Sequence, residues 1–460
     1  MITYDDLLAV GESERDRMAF VQTTIDSHRG SADFRRAADA QLYYNGENPT
    51  ITRYEKVLYD SAGRAHVDMW TANHKIASQF FSFVIDQEVS YLLGNGVRFA
   101  DEGTKERLGA DFDEELMDAL EAARIQGRAF VFWNFDHIEV FRLTEFVPLY
   151  GEETGALTAG IRFWQLDAEK PLRATLYEPD GYTEYIRRRG EEMSVLQEKR
   201  RYVQTWTRSE ADGISISDER NYDGFPIVPL YANRQKQSAL AGRRNTVDAL
   251  DLACSNMVNN VDEGNLIYWV LTNCGGMDDL DDAKFVERLK TLRVAHADGD
   301  AGAGAEAHTL EAPFEGTQTT IDMLITRLYD DFQAFNSAAV TAANQSATAI
   351  KASYVPLDLK CDKIEREVTR CVLGILKLAG IDDRPGYTRN QIINRQEETQ
   401  RILMQAQYFD EEYTRKALLT VNGDIDQYED IAARIDADGY KRLQDAMRPP
   451  VQQEGAQEAE

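Results

Sequence analysis

The spacing of apolar residues changes along the chain, and this change constrains the fold most. Between Arg128 and Thr207, apolar side chains alternate with polar ones and include many aromatic and β-branched residues, as in AFVFWNF, HIEVFRL and YTEYIRR. Such alternation predicts antiparallel β-strands with one buried face. Before and after this region, apolar residues recur every three or four positions, which predicts helices. The predicted fold class is therefore α+β, with an antiparallel sheet region between helical regions.

Helical spacing dominates the chain before the sheet. Residues 1–46 are polar and charged with apolar residues at helical spacing, which suggests a helical arm. Longer apolar stripes predict helices from Asn73 to Leu93 and from about Asp113 to Gln126. The run Phe225 to Tyr231 contains two prolines, so it is predicted as an edge strand that leaves the sheet.

Two amphipathic helices are predicted after the sheet, with a small insert between them. The first should run from about 245 to 268 and the second from Thr317 to Phe335. Helices of this kind usually cover a core, but the first is also long enough to act as a strut. The insert, residues 271–313, contains a short helical pattern, a Gly/Ala loop at 298–307 and a possible strand from His308.

A neutral segment follows the second helix. Residues Phe332 to Ile350 carry no charge, in a chain of which 28% is charged. A loop that faces water would normally carry charge, and small neutral side chains do not pair with phosphate. The alternative is a poorly buried continuation of the helix. Beyond it, Pro356 interrupts a helical pattern and predicts a kink.

Composition excludes several classes of protein. The net charge is −28, from 79 acidic and 51 basic residues, which opposes tight capture of DNA phosphates or of anionic membranes. No apolar run is long enough to span a bilayer, and the first residues do not resemble a secretion signal, so a cytoplasmic protein is expected. The four cysteines form no CxxC pair, which favours reduced, structural thiols.

Catalytic motifs are missing from the sequence. There is no Walker A pattern, no dinucleotide fingerprint, and no histidine spacing typical of zinc sites. We therefore expect a protein that is not an enzyme and has no cofactor or metal. A metal-dependent nuclease built from scattered acidic residues stays open, because its ligands need not be close in sequence.

Several stretches resemble the portal proteins of tailed double-stranded DNA bacteriophages, particularly the long-tailed-phage portal family. They cover roughly residues 40–435, and the matching stretches are LYYNGENPTITR, NHKIASQFFSFVIDQEVSYLLGNGVRF, IQGRAFVFW, TEFVPLYGEETGALTAGIRFWQ, GFPIVPLYANRQ, NLIYWVLTNCGG, QSATAIKASYVPLDLKCDKIEREV and YFDEEYTRKALLTVNGDIDQYEDIAARI. The central stretches are the most specific. One departure is Ser346-Ala347, where the family usually has Ser-Gly, so a flexible hinge residue is lost.

The resemblance implies a portal-type ring subunit with a defined order of parts. These parts are an α+β wing (47–240), a first stem helix (241–270), a small α/β clip (271–314), a second stem helix (315–335), a tunnel loop (336–350), a kinked wing helix (351–388) and a helical crown (389–447). The helical N-terminal arm (1–46) precedes them, and the composition of the last residues predicts a disordered tail (448–460).

It also implies the residues that face DNA and protein partners. The implied tunnel-loop residues in the DNA channel are Asn336, Ser337, Val340, Thr341, Asn344, Gln345, Ser346, Thr348 and Lys351. The implied clip residues that meet terminase and the adaptor are Lys284, Arg288, Lys290 and Arg293. These four basic residues could instead form a solvated helix face.

Function and partners follow from the same resemblance. It implies a ring, usually of twelve copies, at one capsid vertex, through which double-stranded DNA is packaged and ejected with non-specific, transient contact. Further implied partners are the terminase large subunit, the head-completion adaptor, and the major capsid and scaffolding proteins, with no membrane. The implied location is the virion, after assembly in the host cytoplasm. The alternatives are another phage head-assembly ring or scaffold protein without DNA in its lumen, and a packaging nuclease.

Overall fold

The computed structural model describes residues 2–55, 57–59, 63–67, 72–101, 103–209, 213–263, 268–272, 304–308, 314–338, 347–390, 395–422, 428 and 431–435. The chain forms two compact units. The main body comprises Met1–Asn336 and Tyr354–Asn390, and the second unit comprises Ser337–Ser353 and Gln391–Glu460.

The helices and strands alternate in blocks along the chain. The helices are α1 (Tyr4–Val10), α2 (Glu14–Arg29), α3 (Ala32–Tyr44), α4 (Pro49–Thr52), α5 (Phe80–Leu93), α6 (Gly103–Leu108), α7 (Phe112–Gln126), α8 (Arg244–Glu263), α9 (Phe314–Phe332), α10 (Ala347–Ala379), α11 (Arg395–Gln405) and α12 (Glu411–Asn422). The strands are β1 (Val57–Tyr59), β2 (Ala65–Val67), β3 (Val97–Arg98), β4 (Arg128–Asn134), β5 (His137–Arg142), β6 (Phe146–Tyr150), β7 (Leu157–Trp164), β8 (Leu172–Glu178), β9 (Gly181–Arg187), β10 (Ser194–Arg200), β11 (Val203–Ser209), β12 (Gly213–Arg220), β13 (Ile227–Tyr231), β14 (Tyr268–Thr272), β15 (Gly304–His308) and β16 (Gly386–Tyr387).

The predicted antiparallel sheet region is confirmed. Strands β6 to β10 form a five-stranded meander, and β4 lies between β13 and β5 in a three-stranded sheet. Strand β13 contains Pro229, which lies opposite Phe130. Among the described strands β13 pairs with β4 alone, so its proline removes no second ladder bond, and the predicted edge strand is confirmed.

Residues 4–44 are largely helical, as predicted, and α1 and α2 pack against the five-stranded sheet. Leu7, Val21 and Ile25 are buried in one cluster with Leu149 and Ile161 of the sheet. Because α1 and α2 bury their apolar faces on this sheet, they belong to the α+β body. In the described part of the chain, no helix has the length and the apolar character to cross a membrane.

The predicted helix from Asn73 to Leu93 is wrong over its first turns, because residues 72–79 form neither helix nor strand and α5 starts at Phe80. The backbone N–H groups of His74, Ile76 and Ser78 donate to side chains on α8. Their acceptors are Asn259 Oδ1 at 2.7 Å, Ser255 Oγ at 2.9 Å and Asp251 Oδ1 at 3.0 Å. Every second N–H group of this segment thus pairs with every fourth residue of α8, which lies on one face of that helix.

Two further boundaries differ from prediction. The described part of α8 ends at Glu263, and residues 268–272, partly assigned to the first stem helix, form a strand. Its partner is β15, which lies in the predicted Gly/Ala loop. The run YWVLT is aromatic and β-branched, which suits a strand once a partner is present. Pro356 lies inside α10, and the predicted kink stays a prediction.

A buried ion cluster joins three helices of the main body. Glu88 of α5, Arg124 of α7 and Lys360 of α10 are 1%, 4% and 9% exposed. Arg124 Nε donates to Glu88 Oε2 at 2.6 Å, and the Lys360 ammonium pairs with Glu88 Oε1. Burial would raise the pKa of Glu88, but the two cations outweigh burial and hold this pKa below its ordinary value.

Replacing this carboxylate should destabilise the fold strongly. In Glu88→Gln, two buried cations lose their anion, and we expect a loss of about 3 to 5 kcal/mol in the free energy of unfolding at pH 7, measured by urea titration. The folded-state pKa of Glu88 is lowered, so its stabilisation is present above the ordinary pKa of 4.5 and is lost as the pH falls through the lower folded value. The gap between variant and wild type should therefore narrow in acid.

The control is Glu139→Gln. Glu139 pairs with Arg162 at 2.9 Å, and both side chains are about one-third exposed. Such a pair contributes about 1 kcal/mol or less. Equal losses in the two variants would contradict the assigned role of Glu88.

Candidate functional site

The structure places four of the nine predicted channel residues. Asn336 follows α9, Ser337 starts a helical turn, and Thr348 and Lys351 lie in α10. The other five, at 340, 341 and 344–346, lie outside the described residues, as do the four basic clip residues at 284, 288, 290 and 293. The predicted loop 336–350 is therefore wrong over its last four residues, which are helical.

Alanine at position 347 suits the helix that the structure describes from this residue onward. Alanine stabilises a helix by about 1 kcal/mol relative to glycine, the residue expected here from the resemblance. Residues 347–350 and 351–379 form one continuous helix.

The main-body residues on either side of 336–353 meet in one aromatic stack. The rings of Phe335 and Tyr354 lie parallel, with centroids 4.0 Å apart. Tyr354 also stacks on Tyr91 of α5, with centroids 5.6 Å apart. Phe335 and Tyr354 are only 6% and 5% exposed. The two residues are therefore buried next to each other in the main body.

Helix α5 holds this point through hydrogen bonds as well. The side-chain amide of Gln87 accepts from the N–H of Phe335 at 2.8 Å and donates to its carbonyl at 2.9 Å. Tyr91 donates its hydroxyl to Asp358 of α10 at 2.5 Å. Gln87 and Tyr91 are four residues apart and share one face of α5. We call Gln87, Tyr91, Phe335 and Tyr354 the aromatic clamp.

The end of α9 is held by two cations beside the clamp. Arg243 donates to the carbonyl of Asp331 at 2.6 Å, and Lys360 donates to the carbonyl of Phe332. The guanidinium of Arg243 also lies 5.1 Å from the ring centroid of Phe332. Cations at a helix C-terminus satisfy its free carbonyls and oppose its dipole. Gln333, at φ +52, then turns the chain out of the helix.

The clamp sets the positions of Phe335 and Tyr354 in the main body. Within the part of the chain that the structure describes, no three His, Cys, Asp or Glu side chains are placed to hold a metal ion. Sequence patterns missed the clamp residues, although aromatic residues at both ends of a charge-free segment are a usable signal.

Comparison with known proteins identifies the family. Residues 25–439 match the family described as phage portal protein, SPP1 Gp6-like. The chain belongs to this family of phage portal proteins. The resemblance predicted from the sequence is thereby confirmed, and this family comprises structural components of phage particles.

Two named relatives agree with the family match. The portal protein of Clostridium phage phiCD119 is 24% identical over 401 residues, which cover 79% of this chain and 85% of that protein. The portal protein of Bacillus phage SPP1 is 23% identical over 369 residues, covering 76% of this chain and 69% of that protein.

Solved structures show a weaker likeness. A chain from the neck of a native GTA particle, computed with C12 symmetry, has a TM-score of 0.37 and 10% identity over 74% of this chain and 89% of that one. A chain from the virion of a native gene transfer agent particle has a TM-score of 0.38 and 10% identity over 73% and 87%. TM-scores this low do not establish a common fold.

Loosening the aromatic clamp should expose the chain next to Tyr354 to protease. Tyr354→Ala removes the stack, and trypsin should then cut after Lys351 roughly tenfold faster. The reason is that a loss of about 1.4 kcal/mol of stacking free energy raises the population of the locally opened, cleavable state tenfold. The cleavage rate is measured by mass spectrometry under native conditions. Tyr354→Phe keeps the rings and serves as the control. Equal cleavage of all three proteins would show that the stack does not hold the segment.

Proposed function

We propose that the chain is the subunit of a twelve-membered portal ring at one capsid vertex, through which double-stranded DNA enters and leaves the head. The match to the portal family over residues 25–439 carries this proposal. A closed ring needs head-to-tail interfaces, in which different surfaces of neighbouring copies meet.

In this proposal, residues 336–350 contact the moving DNA. A duplex that slides needs weak contact that is independent of sequence, and each cation on a phosphate adds affinity through counterion release. The segment is neutral from Phe332 to Ile350, so it offers steric contact without strong electrostatic capture. The aromatic clamp gives the segment a fixed base, which would hold it in an equivalent position in every subunit.

The remaining parts are assigned to partners in the same proposal. Helices α8 and α9 pack together and would form the stem, and the insert between them would form the clip. The clip, with Lys284, Arg288, Lys290 and Arg293, would meet the terminase large subunit and the head-completion adaptor. The wing would meet the capsid and scaffolding proteins, and α10 and the C-terminal helices would form the kinked helix and the crown.

Electron microscopy of the purified protein tests the ring directly. We expect particles with a central channel at least as wide as a DNA duplex. A chain that stays monomeric under all conditions would contradict the proposal. DNA incubated with the protein and Mg²⁺ or Mn²⁺ should stay intact, whereas cleavage lost on replacing particular acidic residues would favour the nuclease alternative.

A charge placed on the neutral segment tests its position. Thr341→Glu or Asn344→Asp should permit ring assembly but reduce DNA packaging, because a ring of negative charges would repel the phosphates. Thr341→Ser is the control, since it keeps size and neutrality. Ring assembly is measured by microscopy and packaging by the amount of nuclease-protected DNA. Normal packaging in the acidic variants would place the segment away from the channel wall.

A further inference from the structure

A basic pocket lies in the main body. It has a volume of about 490 Å³ and is bounded by α3, the first residue of β4 and the segment that leads into α8. Four basic side chains line it, namely Arg36, Arg128, Lys236 and Arg244, and two acidic ones, Asp33 and Asp39. Its lining thus carries an excess of positive charge in a chain whose net charge is −28.

The two carboxylates are already neutralised by arginines of the lining. Asp33 pairs with Arg36 at 2.5 Å and also with Arg128, while Asp39 pairs with Arg244 at 3.1 Å. Among the ion pairs of the described residues, Lys236 has no carboxylate partner. Its ammonium instead lies 4.3 Å from the ring centroid of Tyr231. The pocket therefore contains a cation that no acid of the described lining neutralises.

Arg128 supplies a second, buried cation to the lining. It is only 8% exposed, and its guanidinium pairs with Asp33. Asp33 is shared between Arg128 and Arg36, so its single negative charge does not neutralise both cations. The lining therefore keeps a positive charge that favours an anion.

The backbone around Lys236 is rigid and unusual. Lys236 has φ +58, in the left-handed region that lysine rarely adopts. Its carbonyl lies so close to Gly127 that a Cβ at residue 127 would approach within 2.8 Å. Such a conformation persists only where the surroundings hold it, and it is typical of functional loops.

We propose that this pocket binds acidic side chains of a neighbouring copy of this chain, an inference that rests on the proposed ring. Copies that each carry a charge of −28 repel one another, so assembly needs places where cations of one copy meet carboxylates of the next. Each copy has 79 acidic and 51 basic residues, so carboxylates are the charged groups that a neighbouring copy supplies in greatest number.

Nucleic acid fits this pocket less well than an acidic side chain does. The lining includes apolar groups, among them Ala40, Leu143 and Leu240, and a concave site of this size suits one or two side chains rather than a continuous phosphate backbone. The net charge of the chain also opposes phosphate binding outside a strongly basic surface.

Zero-length carbodiimide cross-linking tests the contact, because this reagent joins an amine directly to a carboxylate. Rings are assembled from equal amounts of ¹⁴N- and ¹⁵N-labelled full-length chains, cross-linked and digested for mass spectrometry. We expect Lys236 joined to an Asp or Glu peptide, with mixed-label products that show a link between copies. Products with one label only would mean that the chain's own residues occupy the pocket and would overturn the proposal.

A charge-removing variant tests the energetic role. Lys236→Asn removes the ammonium and keeps a residue that tolerates left-handed φ. The protein concentration at half assembly, measured by mass photometry, should rise about tenfold. Lys170→Asn, at an exposed position, removes the same charge and should leave assembly unchanged, and thermal unfolding verifies that both variants fold.

The outcomes separate the two proposals. Rings that assemble equally well in wild type and Lys236→Asn, without the mixed-label cross-link, would overturn the pocket proposal alone. A wild-type chain that forms no ring at all would overturn both.

Discussion

One buried carboxylate organises the main body. Glu88 accepts from Arg124 and pairs with Lys360, and these two cations reach on to the carbonyls of Ala232 and Phe332. A single anion thus links α5, α7 and α10 to the end of α9 and to the chain beyond β13. A buried charge without its partner costs several kcal/mol. The helices α5, α7 and α10 must therefore pack so that Glu88, Arg124 and Lys360 meet.

The positions of Phe335 and Tyr354 follow from this cluster. Gln87 and Tyr91 lie beside Glu88 on α5. Gln87 binds the backbone of Phe335, and Tyr354 stacks on the rings of both Tyr91 and Phe335. The clamp is thus built on the helix that carries the central anion. In the proposed portal ring, it would anchor a segment that makes weak, neutral contact with DNA.

Much of the fold was predictable because periodicity reports local burial. The strands between Arg128 and Tyr231 and the helices α7 and α9 show their period directly. Residues 72–79 were misjudged because their helical pattern is overridden by side chains of α8, which take up their backbone N–H groups. The strand at 268–272 was missed because its partner lies more than thirty residues further along the chain.

The sequence by itself determined the fold class, the neutral segment and the membership in the portal family, since each is written in residue order and charge. The candidate site was only half visible: the charge-free run was evident, but the clamp that holds it was not. Only the tertiary structure brought Gln87 and Tyr91 to Phe335 and Tyr354, and Lys236 to Arg128 and Arg36. Contacts between such distant residues depend on how helices and sheets pack, and local periodicity carries no information about that packing.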